Sequence, residues 1–173
     1  MNNIIFETTR LTVRQFTNTD TENFFLLNGD EEVVRYIRKP MNKEDADKFL
    51  KQNIEFYVAN PHLGRWAVDE KGPGIFVGSC ALIPLPFEDE KEKLQIGYSF
   101  LPSAWGKGYA TELTMSGINY YFQHHPFYEL HAITSIPNTA SQKVLLKCGF
   151  AENGRKPEGE ELLQRFILKR QSR

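Results

Sequence analysis

The sequence predicts a single α/β (α+β) domain. Segments with the two-residue period of strands alternate with segments of helical period along the whole chain. No repeat, linker or low-complexity tract interrupts them, so residues 1–173 read as one unit. The length suits one sizeable core, and 40% hydrophobic with 25% charged residues is the balance of an ordinary globular protein. A net charge of -1 supplies no basic field for nucleic acid. The start, Met1 to Phe6, lacks the basic and apolar parts of a signal peptide, and no run reaches the length of a membrane span. Cys80 and Cys148 lie far apart without a disulfide framework. A cytoplasmic protein with reduced thiols is expected, bound to neither membrane nor nucleic acid, as a monomer or homodimer.

Residues 10–16 read as the first strand. Thr19 and Glu22 have capping-box spacing, which predicts a helix through Leu27 that Asn28-Gly29-Asp30 closes. Residues 31–37 predict another short helix. Asn42, with Asp45 three residues on, predicts the start of a longer helix that runs to Ala59 ahead of Pro61. Residues 64–68 and 75–85 read as strands, and Lys71-Gly72-Pro73-Gly74 between them is a hairpin signal. The charged run 87–93 reads as a solvated hairpin tip, or as a rim that attracts a cationic acceptor. Leu94, Ile96, Tyr98 and Phe100 alternate with Gln95, Gly97 and Ser99, a strand that Pro102 stops. Ala110, Leu113, Gly117, Ile118 and Tyr121 then mark one face of a helix. Residues 130–136 predict a strand ended by Pro137. Asn138 starts the next helix, Gly149 caps it, and residues 162–168 form a last strand.

Two stretches carry chemistry. The strand at 94–101 runs through Trp105-Gly106-Lys107-Gly108 into the helix that follows. Such a turn bares backbone N–H groups at the positive end of a helix dipole, an anion site to which Lys107 adds charge. The glycines match neither the P-loop nor the dinucleotide fingerprint, and a plain strand-to-helix connection accounts for the turn equally well. The second stretch is Asn138 to Phe150, in which Asn138, Ser141 and Leu145 fall one helical turn apart. By themselves, Asn138 is a helix cap and Ser141 a serine bonded to its own backbone. His124 and His125 suit a helix C-terminus, His131 an ordinary strand, and no spacing makes a metal pattern.

Together the two stretches resemble the GCN5-related N-acetyltransferases (GNAT), most closely the RimJ/RimL type. Thr9 to Arg14 resembles the opening strand of that branch, and Ile96-Gly97-Tyr98 its central strand. Trp105 stands where many other members carry Arg or Gln and this branch often has an aromatic residue. The resemblance covers nearly the whole chain. It implies a central mixed, mostly antiparallel sheet flanked by helices, and acetyl transfer from acetyl-CoA to an amine by direct attack. Residues 106–110 would be the pyrophosphate loop. The strand residues Tyr98, Ser99, Phe100 and Leu101 would lie along the pantetheine arm. Trp105, Gly106, Lys107, Gly108, Tyr109, Ala110, Thr111, Asn138, Ser141 and Lys143 would complete the cofactor contacts. The early helices would cover the acceptor groove.

For catalysis, many relatives place a tyrosine acid at the position of Leu145, which leaves Ser141 as the group facing the leaving sulfur. Many also place a glutamate near the start of the central strand, where this chain has Gln95. Glu92 and Glu112 are the nearest carboxylates in sequence. Glu112 is a candidate catalytic residue, although a carboxylate in a first helical turn also simply supports the dipole, and the base is left open. Neither cysteine sits beside a histidine, so no acetyl-enzyme is expected. A protein N-terminus, a polyamine or another small amine is open as acceptor. A catalytically inactive acyl-CoA-binding or interaction domain is the competing function.

Overall fold

Backbone pairing gathers the period-two segments into one sheet in a computed structural model that describes residues 3–171. In chain order the elements are β1 (Ile4–Glu7), β2 (Leu11–Gln15), α1 (Thr21–Gly29), α2 (Glu31–Val34), α3 (Lys43–Ala59), β3 (Gly64–Glu70) and β4 (Ile75–Pro84). Then follow β5 (Leu94–Phe100), α4 (Tyr109–His124), β6 (Glu129–Ser135), α5 (Thr139–Lys147), β7 (Ala151–Glu158) and β8 (Glu161–Lys169). The strand order is β1-β2-β3-β4-β5-β6-β8-β7. Every pairing is antiparallel except β5 with β6. Among the described residues no helix is long and apolar enough to cross a membrane.

The alternation in the strands sorts two cores onto the two sheet faces. The register sets Trp66, Cys80 and Tyr98 in one row across β3, β4 and β5. Their face carries the larger core, in which Val13, Ile96 and Leu130 pack with Leu113 and Tyr121 of α4. The opposite face carries the rows Arg65, Ala81, Gly97 and Ala67, Ser79, Ser99. There Phe24 and Leu27 of α1, Val34 of α2 and Leu50 of α3 pack on Phe16, Ala67 and Phe76.

Most predicted elements form within a residue or two of their expected ends, and four details differ. Two edge strands, β1 and β7, have no counterpart in the sequence reading. β1 is only four residues long, and β7 is a mostly exposed polar segment, Ala-Glu-Asn-Gly-Arg-Lys-Pro-Glu, with no apolar alternation. As an outer strand β7 tolerates Pro157. The capping box is Thr17 with Asp20, two residues earlier than Thr19 with Glu22, and it starts a short 3₁₀ turn before α1. Buried Arg14 draws Asp20 inward with two 2.9 Å hydrogen bonds and also donates to Asp69 at 2.6 Å. The short helix ends at Val34 instead of Ile37.

The charged run 87–93 joins the antiparallel pair β4 and β5 as a hairpin tip, with Glu88, Asp89, Lys91 and Glu92 exposed, but Glu90 ties it down. Glu90 is buried and accepts from Lys93, Lys156 and Arg165 at 2.9, 2.5 and 2.7 Å. Asp89 pairs with Lys156, and Glu88 with Lys91. These carboxylates are neutralised at home and join the turn to the β7–β8 hairpin.

Candidate active site

The site begins where the sheet opens. β5 and β6 share one registered pair, Gln95 with His131. Past Gln95 the two strands diverge: β5 stays paired with β4 as far as Phe100, while β6 runs along β8. Among the described residues no strand covers the β6-facing edge of β5 beyond Gln95. Strand-edge N–H and C=O groups left unpaired are a template for another extended chain. A cavity of about 850 Å³ occupies this opening and continues across the β3–β5 face beneath α1 and α2.

At one end of the cavity lies the glycine turn. Gly106 and Gly108 have φ of 74° and 80°, the left-handed region that side chains strain. Gly108 caps α4 without any side-chain bond, so the first N–H groups of the helix are not taken by a cap. Two cations attend the turn. The Arg10 guanidinium lies 4.6 Å from the centre of the Tyr109 ring, and Lys107 Nζ lies 5.6 Å from it. A Cβ on Gly108 would come within 3.5 Å of Arg10 Nη2.

Glu112 is occupied by that arrangement. It accepts from Thr8 Oγ1 at 2.6 Å, from the Arg10 backbone N–H at 2.8 Å and from Arg10 Nε at 2.7 Å. Burial pushes its pKa up, but these hydrogen bonds outweigh burial and hold the carboxyl below its usual value. It does not line the cavity. A carboxylate with these bonds is a poor proton acceptor, so the geometry speaks against Glu112 as the base. Its hydrogen bonds hold Arg10 beside the turn.

At the other side of the opening stands α5. Asn138 Oδ1 caps the helix by accepting from the Ser141 N–H at 3.2 Å. That bond uses the carbonyl half of the amide and leaves its NH₂ for a ligand. The Tyr98 hydroxyl donates to Ser141 Oγ at 3.4 Å across the gap between β5 and α5. Burial raises the Tyr98 pKa above its ordinary value, so the phenol keeps its proton at neutral pH. Leu145 also lines the cavity, but it is buried and belongs to the larger core.

Most residues expected at the cofactor meet at this cavity. β5 contributes Tyr98, Ser99 and Phe100, and the turn contributes Trp105, Gly106 and Gly108. The first turn of α4 adds Tyr109, Ala110 and Thr111, and α5 adds Asn138 and Ser141. The Trp105 indole donates to the Phe100 carbonyl at 2.8 Å, closing the end of β5. Leu101, Lys107 and Lys143 do not line the cavity. Leu101 is buried in the second core, Lys107 lies 3.8 Å from Glu70, and Lys143 is exposed on α5. The sequence reading misses the Tyr98 contact to Ser141 and three arginines in the wall, Arg35, Arg38 and Arg65. The period of β3 carries a signal for Arg65, since it lies on the opposite face from Trp66.

The family model described as "Acetyltransferase (GNAT) domain" matches residues 10–151. The chain is 28% identical over 152 residues to an uncharacterized N-acetyltransferase, YoaA, of Bacillus subtilis, across 87% of this chain and 84% of that protein. The crystal structure of a GNAT-family acetyltransferase from Bacillus anthracis superposes with a TM-score of 0.79 at 25% identity, covering 94% of this chain and 96% of that one. A Salmonella typhimurium acetyltransferase that modifies the N-terminal serine of ribosomal protein L7/L12 shares the fold, with a TM-score of 0.80 at 15% identity and coverage of 98% and 100%. With its family match, its split sheet and its glycine turn at a helix start, the chain belongs to the GNAT family of acyl-CoA-dependent N-acetyltransferases.

Proposed function

We propose that this protein transfers an acetyl group from acetyl-CoA to a primary amine by direct attack. The observation that carries this reading is the opening between β5 and β6, with the bare helix start at one end and the Tyr98–Ser141 pair across it. The residues present fit the cofactor. The turn at Gly106 and Gly108, the start of α4 and the cation Arg10 suit a pyrophosphate. The free edge of β5 suits the amide-bearing pantetheine arm, and Asn138 lines the same cavity. When bound, acetyl-CoA supplies an activated thioester.

The transfer forms one carbon–nitrogen bond and breaks one carbon–sulfur bond. The amine nitrogen loses a proton, and the departing sulfur gains one. Backbone N–H groups of β5 are donors fixed in place for the carbonyl oxygen, which is where negative charge grows. Ser141, backed by Tyr98, donates toward the sulfur. The carboxylates that reach the cavity are Glu32, Glu158 and Glu161, so these replace Glu112 as candidates to accept the proton from nitrogen, directly or through water. Neither cysteine is suited to carry the acetyl group. Burial pushes the Cys80 thiol up to about 12 and raises that of Cys148 as well.

The experiment is a thermal melt with and without acetyl-CoA, followed by thiol release on addition of an amine panel. A raised melting temperature and amine-dependent thiol release support the reading. A melting curve unmoved at millimolar acetyl-CoA removes it. A shift without thiol release would instead favour a domain that binds the cofactor without using it.

A further inference from the structure

Three arginines line the cavity, Arg35, Arg38 and Arg65, and no carboxylate among the described residues neutralises them; Arg35 is exposed, and the other two are set into the wall. Arg65 projects from β3 on the sheet face that carries Ala81 and Gly97, and Arg38 follows α2 and lies over the same face. Their guanidinium carbons sit 5.0 and 5.2 Å from the centre of one ring, Phe49 of α3. Both side chains are half-buried. Arg38 donates once, to Asn28 Oδ1 at 2.7 Å. Among the described residues no side-chain hydrogen bond involves the Arg65 guanidinium. Its backbone, in contrast, is pinned on both sides: Asn53 bonds its N–H and C=O at 3.1 and 2.9 Å, and the Tyr57 hydroxyl also reaches its carbonyl.

Elsewhere the chain treats such arginines differently. Arg14, on the same sheet face, is matched by two carboxylates, and Arg165 by Glu90. Burial, and then the nearby Arg38 charge, push the Arg65 pKa down to about 10, so the two charges oppose each other but both persist at neutral pH. Two close cations on the wall of an open cavity, with five fork-shaped donors unspent on one of them, make a carboxylate receptor. The acidic residues of the cavity, Glu32, Glu158 and Glu161, are exposed at its mouth and pair with neither arginine.

We infer that the acceptor is a small amine that also carries a carboxylate, the carboxylate held by Arg38 and Arg65 and the amine presented to the edge of β5 at Gly97 and Ser99. The inference rests on the transferase reading above and specifies its substrate class. Arg65 and Gly97 lie two strands apart in one row, about 10 Å from Cα to Cα at ordinary sheet spacing. A molecule of amino-acid size bridges the interval from an arginine tip to that edge. A polyamine does not suit this wall, because its second ammonium would face two like charges.

The test is acetyl transfer to a set of amino acids, each paired with its carboxamide and its decarboxylated amine, with spermine and phosphoethanolamine as further arms. The free acids should exceed their amides in kcat/KM by at least about tenfold, as expected for a lost charge-assisted bidentate contact. Arg65→Gln and Arg38→Gln should each erase that preference, and Arg65→Lys should keep part of it. The melting shift with acetyl-CoA should be unchanged in all three. A second readout needs no transfer: an amino acid, but not its amide, should shield Arg65 from phenylglyoxal, scored by peptide mass.

Amides used as well as acids, preference for spermine or phosphoethanolamine, or loss of the acetyl-CoA shift in Arg65→Gln would each overturn the carboxylate receptor while leaving the transferase reading in place. Shielding of Arg65 without transfer to any amine would keep the receptor and remove the transferase.

Discussion

Among the described residues, the Tyr98 hydroxyl and Ser141 Oγ form the one side-chain hydrogen bond that spans the opening from β5 to α5. If the pair stabilises the departing sulfur, removing either hydroxyl withdraws a hydrogen bond to a charge that exists only during reaction. Such bonds to charged groups contribute about 1.5–3 kcal/mol, which corresponds to roughly 10- to 150-fold in rate. Ser141→Ala should therefore lower kcat by about that factor with little change in acetyl-CoA affinity, the pattern of an interaction made in the transition state. Tyr98→Phe should lower kcat less or equally, because its proton reaches sulfur through Ser141. The double variant should be no slower than Ser141→Ala, since one relay is broken once. The assay is single-turnover transfer at saturating acetyl-CoA, with binding measured separately. Losses that multiply in the double variant would refute the relay. A chemical step at the parent rate in Ser141→Ala would return Ser141 to an ordinary helix serine.

Other expectations test the supports of the site. Gly108→Val should abolish the melting shift with acetyl-CoA, because a branched residue is strained at φ 80° and crowds the incoming anion. Glu112→Gln should raise the KM for acetyl-CoA several-fold while kcat stays within about twofold, since Glu112 holds Arg10 and not the amine; a collapse of kcat at unchanged KM would reinstate it as the base. Glu90 is held down to about 2 by Lys156 and then Lys93. A depressed carboxylate stabilises the fold above its unfolded value near 4.5, and that stability is lost as pH falls toward 2. Urea titrations should show this acid loss in the parent and a flatter profile in Glu90→Gln.

The readable parts of the fold are those with a strong period or an unambiguous cap. The alternation from Leu94 to Phe100 places β5 with its two faces correctly, and Asn42 and Asn138 cap α3 and α5 where their spacing to Asp45 and Ser141 implies. The edge strands escape because pairing, rather than apolar pattern, makes them strands: β7 is defined by its register with β8. The capping box falls at Thr17 rather than Thr19 because a buried arginine, Arg14, claims Asp20. Local spacing cannot register such a tertiary demand.

The site divides in the same way. Spacing sets residues contiguous with the glycine turn, or one helical turn apart on α5, side by side, and the resemblance is what assigns them to a cofactor. Spacing gives no sight of the partners of Glu112, as Thr8 and Arg10 lie over a hundred residues upstream. Tyr98 is legible as a strand residue, but its contact with Ser141 depends on how far β5 and β6 splay. Arg38 and Arg65 come from separate elements, and only the packing of α2 and α3 over β3 brings them to one phenylalanine ring. Leu145 shows the converse: its spacing to Ser141 puts it on the cavity, yet it is also core.

Direct transfer is tested most simply by following the label. The protein is incubated with acetyl-CoA carrying an isotopic acetyl group and with the amine panel, and both the small-molecule products and the intact protein are weighed over time. Direct attack at the β5–β6 opening predicts label on the amine nitrogen of the product, one free thiol per amide formed, and none on the protein, with Cys80→Ala and Cys148→Ala keeping most of the rate. Label that appears on a protein side chain before it reaches the amine, or a product that never forms while the cofactor stays bound, would contradict it.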